Sequence, residues 1–243
     1  MGNIHISGSG KVSAEGNYYE DVHISGSGRI DGNLRCRSIH VSGSGHFNGN
    51  AVCEEEVRIS GSGHFEKSVE CGSFSVSGSG HIENDLKCKD FKSSGSSHIK
   101  GSVSCTDAAI SGSVHVEKDM TGENIRISGG SSIHGLLNAE NITIMLYGKN
   151  TVGEIGCTKL DVGISKNNSG SLRIGPFSFG SKNKGDLVCP IIEGDEVNLV
   201  NTTSNVVRGK NVRIGPDCAI KRVEYSESIE VDSSSTVGEQ VKI

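Results

Sequence analysis

Nine histidines and eight cysteines carry most of the chemistry open to this 243-residue chain, and most of them fall on a repeat. His46, His64, His81, His98 and His115 recur at a nearly constant interval, as do His5, His23 and His40. Imidazoles stacked in this way could clamp a transition metal or form a stripe that titrates near neutral pH. Cys36, Cys53, Cys71, Cys88 and Cys105 make a third column with the same interval. Its chemistry would be thiolate ligation or disulfide pairing. No C-x-x-C pair of the kind zinc favours is present. Side chains stacked in parallel also point the same way, which disfavours bridging. The column reads as a ladder of small buried hydrophobes whose thiols are free and slow to react, in keeping with a reducing cytoplasm.

The histidines are expected to face outward. A straight ladder on a flat face gathers ligands from one direction and lacks carboxylate partners. No metal ligand, cofactor-binding residue or catalytic residue is therefore assigned. Asp31, Glu66, Glu83 and Glu117 are spread outward and are not paired in a cleft. There is no G-x-S-x-G, P-loop or dinucleotide fingerprint, because the glycine-rich runs are not followed by a helical pattern. Pectin-lyase-type β-helices cluster carboxylates and bases on one face of longer coils, and no such cluster is seen.

The elements that space these columns are short. ISGSG begins at Ile6, Ile24 and Ile59, and VSGSG at Val41 and Val76; SSGSS at Ser93, ISGSV at Ile110 and ISGGS at Ile127 are weaker copies. An apolar-x-apolar triplet such as Val57-x-Ile59 precedes each SGSG run. One bulky apolar residue follows six positions later (Val12, Ile30, Phe47, Phe65, Ile82, Ile99, Val116, Ile133), then usually a second triplet closing on cysteine. Period-two alternation is strand-like. A repeat of about 17–18 residues carrying three short strands describes one coil of a three-faced parallel β-helix. SGSG then forms one corner, where glycine is expected to supply φ > 0. Gly32-Asn33, Gly49-Asn50, Asn84-Asp85 and Gly101-Ser102 form the second.

Composition agrees with this. Apolar residues are 33% and aromatics 4%, too few for a compact globule but enough for a narrow prism. Net charge is −5 with both signs interspersed, which argues against nucleic acid as a partner. No apolar run suits a membrane span, and no leader or membrane anchor is evident, so a cytoplasmic location is expected. The repeat predicts one continuous β-helix over 1–243, of 12–13 coils and roughly 60 Å. It divides into regular coils (1–145), irregular coils with loops (146–211; loops at 163–171 and 180–186) and regular terminal coils (212–243). In the last segment Ile214, Ile220, Tyr225, Val231, Val237 and Ile243 read as inward. Terminal coils expose strand edge and apolar cross-section. Ile4, Ile6 and Val12 at one end, and Val237, Val241 and Ile243 at the other, are the candidate assembly interface.

Coils such as VHISGSGRIDGNLRC (22–36) and VRISGSGHFEKSVEC (57–71) resemble those of bactofilins, the bacterial polymer-forming cytoskeletal proteins. VRGKNVRIGPDCAIKRVEYSESIEV (207–231) is similar to the C-terminal part of longer bactofilin-like proteins. The resemblance implies a right-handed all-β helix that polymerises end to end without nucleotide and acts as a scaffold, not an enzyme. Its partner would be itself, as homo-oligomer or filament, with other bactofilin-like or cell-envelope-associated proteins as further candidates. An alternative follows from LRIGPF (172–177) and VRIGPDCAI (212–220), which resemble the hexapeptide repeat of left-handed β-helix acyltransferases. Those enzymes carry a catalytic histidine on a loop, and 163–171 and 180–186 contain none. A generic adhesive or binding rod is a third reading.

Overall fold

The computed structural model describes residues 2–14, 17–163 and 185–243, together with the strands Arg173–Ile174 and Phe177–Ser178. Within the described residues every regular element is a strand. The strands stack in parallel as a β-solenoid of about 13 turns.

One coil illustrates the rest. Strand Ser73–Val76 lies on the first face, Ser79–Ile82 on the second and Leu86–Lys87 on the third; Asp90–Ser93 then returns to the first. Each strand pairs with its counterparts one coil before and one coil after. Phe74 lies between Val57 and Phe91, His81 between His64 and His98, and Leu86 between Val69 and Val103. Alternation in sequence becomes alternation in burial: Phe74 and Val76 point into the prism and Ser73 and Ser75 out. Stacking places like on like. Phe47 and Phe65 lie face to face with ring centres 4.4 Å apart, and Phe74 meets Phe65 edge-on. Fully burying such rings is worth about 1.5–3 kcal/mol each, which is how so few apolar residues hold the rod together.

The core is not wholly apolar. Ser93 takes the place occupied by Val76 and Ile110 in neighbouring coils, and its hydroxyl is satisfied by that of Ser97 at 2.8 Å. Asn150, fully buried, accepts from the Ser131 hydroxyl at 2.8 Å and donates to the Gly148 carbonyl at 2.9 Å. Paired in this way, buried polar groups cost little.

The SGSG corners are where expected, but their glycines are there for another reason. Among the described glycines only Gly32 has a positive φ, 85°. At Gly26, Gly43, Gly61, Gly78, Gly95, Gly112 and Gly129 a Cβ would instead run into the backbone carbonyl of the equivalent residue one coil earlier. Close approach of coils, not φ, demands glycine. The second glycine of each motif faces inward, where a Cβ meets only side chains, and later coils replace it by Ser97, Val114 and Ser131. The second corner is braced by side chains. Asn33, Asp85 and Asp119 each accept the backbone N–H of a residue in the next coil, at 2.8–2.9 Å.

Past residue 145 the coils change length but keep their columns. Strand Asn150–Gly163 pairs directly with Leu187–Val188 and Ile191–Leu199, so the stack resumes at Leu187. The next coil is shorter than the regular ones, pairing Leu187 with Thr202 and Ile191 with Val206. Of the two expected loops, residues 164–171 and 180–184 lie outside the described residues. Arg173–Ile174 and Phe177–Ser178 pair antiparallel with each other in a separate two-stranded sheet. That is not a hexapeptide coil, which corrects the reading of LRIGPF. VRIGPDCAI does belong to the stack, with Val212, Ile214, Cys218 and Ile220 buried and a corner at Gly215–Asp217 where Asp217 has φ 61°.

Candidate functional site: the rod ends and the histidine face

At the N-terminal end, strand Gly2–Ile6 pairs only with Tyr18–Ile24, and Ser9–Ser13 only with Ser27–Asp31. Each therefore leaves one edge of backbone donors and acceptors unpaired within the described chain, a template for another strand. The apolar side chains here are largely covered: Ile4 is 5% exposed and Ile6 7%, with Val12 half-buried. Tyr19 packs against the core beneath them.

The C-terminal end is more open. Strand Thr236–Lys242 pairs only with Ala219–Val231. Val237 continues the inward column of Ile220 and is half-buried, while Ile243 is 71% exposed. Val241, the other apolar residue counted with this end, lies in register with Glu224 on the outward side, and Gln240 takes the place beyond buried Val223. An irregularity between Gly209 and Asn211, opposite Tyr225 and Ser228, breaks the even spacing between the third face and the last first-face strand. Val231, expected inward, ends the first-face column above Ile214 and is 39% exposed; Ile229 beside it ends the column of Val212. Ile229 and Val231 thus belong to the open cross-section with Val237, and sequence reasoning left them out of the interface. The available signal was that both stand one regular coil interval beyond Val212 and Ile214.

The cysteine column is inside, as expected. Cys36, Cys53, Cys71, Cys88 and Cys105 are buried and free, and the Cys36 and Cys53 thiols share a hydrogen bond at 3.1 Å with no disulfide between them. Burial pushes the Cys105, Cys157 and Cys189 thiols up to about 12.

The histidines stack on the second face. Ring centres from His46 through His115 are 4.7–4.8 Å apart, and His134, in the next coil, adds a ring 4.8 Å from His115. The arrangement changes along the ladder. His46, His64 and His81 are nearly coplanar-stacked, with interplanar angles of 6–8°. His81, His98, His115 and His134 meet edge to face at 84–89°. Carboxylate partners, not expected from the sequence, are present. Glu66 sits 2.7 Å from His46 Nε2, Glu83 2.7 Å from His81 Nε2, and Glu117 3.1 Å from His98 Nε2. Each glutamate stands two positions beyond a ladder histidine, so stacking brings it beside its own and the preceding coil's imidazole. Lys100 also holds Glu83, at 2.6 Å, and together with His81 keeps that carboxyl down at about 2. Desolvation, reinforced by neighbouring imidazoles, keeps His64 and His115 below the ordinary histidine value.

Residues 1–87 match the family model described as Bactofilin, polymer-forming cytoskeletal. The resemblance seen in the coils holds over that stretch, whereas 207–231 lies outside it. Two Bacillus subtilis (strain 168) proteins are similar to parts of the chain. Uncharacterized protein YhbF is 48% identical over 66 residues, 27% of this chain and 28% of its own length. Uncharacterized protein YhbE is 39% identical over 108 residues, 44% of this chain and 43% of its own length. The chain therefore matches less than half the length of either relative. No solved structure gives a significant match. Among the described residues, no helix is long and apolar enough to cross a membrane.

Proposed function

We propose that this chain, with a bactofilin match over residues 1–87, is a cytoskeletal scaffold subunit that self-associates through the ends of its solenoid and needs no nucleotide to do so. The observation that carries the reading is the parallel register persisting to each terminal coil, which leaves a strand edge paired on one side only. An incoming coil can continue the sheet with the same hydrogen bonds that join neighbours inside the rod. At the C-terminal end it would also cover Ile229, Val231 and Val237, which are half-buried or exposed. Head-to-tail joining gives open polar filaments, like-to-like joining at both ends gives non-polar filaments, and one competent end gives a closed dimer. The polymer-forming description of the matched family supports assembly over catalysis, and of the two segments that suggested the acyltransferase alternative only VRIGPDCAI lies in the stack.

The test compares wild type with Val12→Lys, Val231→Lys and Val237→Lys by sedimentation and electron microscopy without added nucleotide. Val52→Lys, at an exposed position on the side of the third coil, serves as control. Wild type and the control should assemble, and a lysine at a competent end should abolish assembly while circular dichroism stays unchanged. A monomeric wild type at high concentration, or assembly indifferent to all the end charges, refutes the proposal.

A further inference from the structure

The geometry points to a divalent transition-metal site on the side of the rod, with His98, His115 and Glu117 as its protein ligands. One donor atom from each already lies within 4.8 Å of the others. Zinc-class ions bind imidazole nitrogen and carboxylate oxygen at about 2.0–2.2 Å, so two ligands on one ion sit roughly 3.3 Å apart. Side-chain rotation closes the difference, and these partly exposed rings have room for it.

Two features single out this part of the ladder. The lone pair of an imidazole nitrogen lies in the ring plane. Rings stacked flat, as His64 and His81 are at 8°, send their lone pairs out side by side. Rings crossed at 84°, as His98 and His115 are, can turn two lone pairs toward one point. The carboxylates differ as well. Glu83, which completes a similar group with His64 and His81, is held by Lys100 at 2.6 Å. Both glutamates touch an imidazole of their own group, but among the described residues no lysine or arginine ion pair holds Glu117, which rests on His98 alone at 3.1 Å.

Ligands also arrive from more than one column. Glu117 stands one step along the face from the ladder, and His134 lies beyond it in the next coil, its ring 4.8 Å from that of His115 and crossed at 89°. His134 is thus the side chain next in line for a fourth position, which water otherwise fills. Two imidazoles and a carboxylate are a donor set for zinc-class ions and not for magnesium or calcium, which prefer oxygen alone.

Isothermal titration of the untagged full chain with zinc ion alone, near neutral pH, tests the assignment. Wild type should take up one tightly bound ion per chain. His115→Ala and Glu117→Gln should each weaken it by ~10-fold or more, since even indirect metal partners cost that much. His46→Ala and His64→Ala should leave it in place. Cobalt(II) substitution gives a second readout, with visible ligand-field bands that disappear in His115→Ala while circular dichroism shows the coils intact. The inference is overturned if zinc does not saturate, if binding survives both His115→Ala and Glu117→Gln, or if every ladder variant weakens it equally, as an undifferentiated histidine stripe would.

Discussion

Replacing Gly78 by alanine puts a methyl group where the structure has no room for one. A Cβ there would fall well inside 3.0 Å of the Gly61 carbonyl oxygen, a backbone atom that cannot swing aside. Relief requires the two coils to part by about 1 Å at the corner, which takes good hydrogen bonds out of range. The bonds at stake are Ser77 N–H to Ile59 O (2.9 Å), Gly78 N–H to the same oxygen (3.3 Å) and Ser79 N–H to Gly61 O (2.8 Å). At about 1 kcal/mol net each, and more where a group is left unpaired, the loss comes to about 3–5 kcal/mol. Gly80→Ala is the internal comparison. Its Cβ would meet Val76 Cγ2 at 3.0 Å, the end of a side chain able to shift, for about 1 kcal/mol. Urea unfolding followed by circular dichroism measures both. If the two alanine variants are equally stable, close coil approach is not what the first glycine of the motif answers to.

Two further outcomes follow from the same geometry. Native protein should react with a thiol reagent far more slowly at Cys53, Cys71 and Cys88 than the urea-unfolded chain does; native labelling at the unfolded rate would place the column outside the prism. Acid should destabilise the C-terminal coils through Glu224, whose carboxyl is held below its usual 4.5 by hydrogen bonds from Arg208 and then Arg222. A depressed carboxyl contributes stability that is fully present above 4.5 and lost as pH falls through its lower folded value. Glu224→Gln should therefore lower the melting temperature near neutral pH and flatten its fall in acid; an unchanged acid limb would count against the pairing.

What could be read from the residues was whatever repeats with the coil. Phe47 above Phe65, the cysteine column and both corners needed only a constant interval to be placed. The interval was silent on why Gly78 is glycine, because its clash with the Gly61 carbonyl exists only once coils are stacked. It was equally silent on Glu117 beside His98, a pair that spans two coils and belongs to no single column. Where coil length itself changes, as between Leu187 and Thr202, the count loses its frame. At the end of the chain Val241, counted with the candidate interface, falls on the Glu224 column, one place past the inward column of Val223.

Stacking like on like also has a kinetic side. Nearly every bond between coils joins residues one coil apart in sequence, so the relative contact order is roughly 0.07, in the range of helical bundles and well below that of sandwiches and barrels. An all-parallel sheet is ordinarily slow to form because its partners are distant along the chain; here each new coil finds its template immediately behind it. Any pair of adjacent coils can serve as the starting point, and growth from it runs in both directions like a zipper.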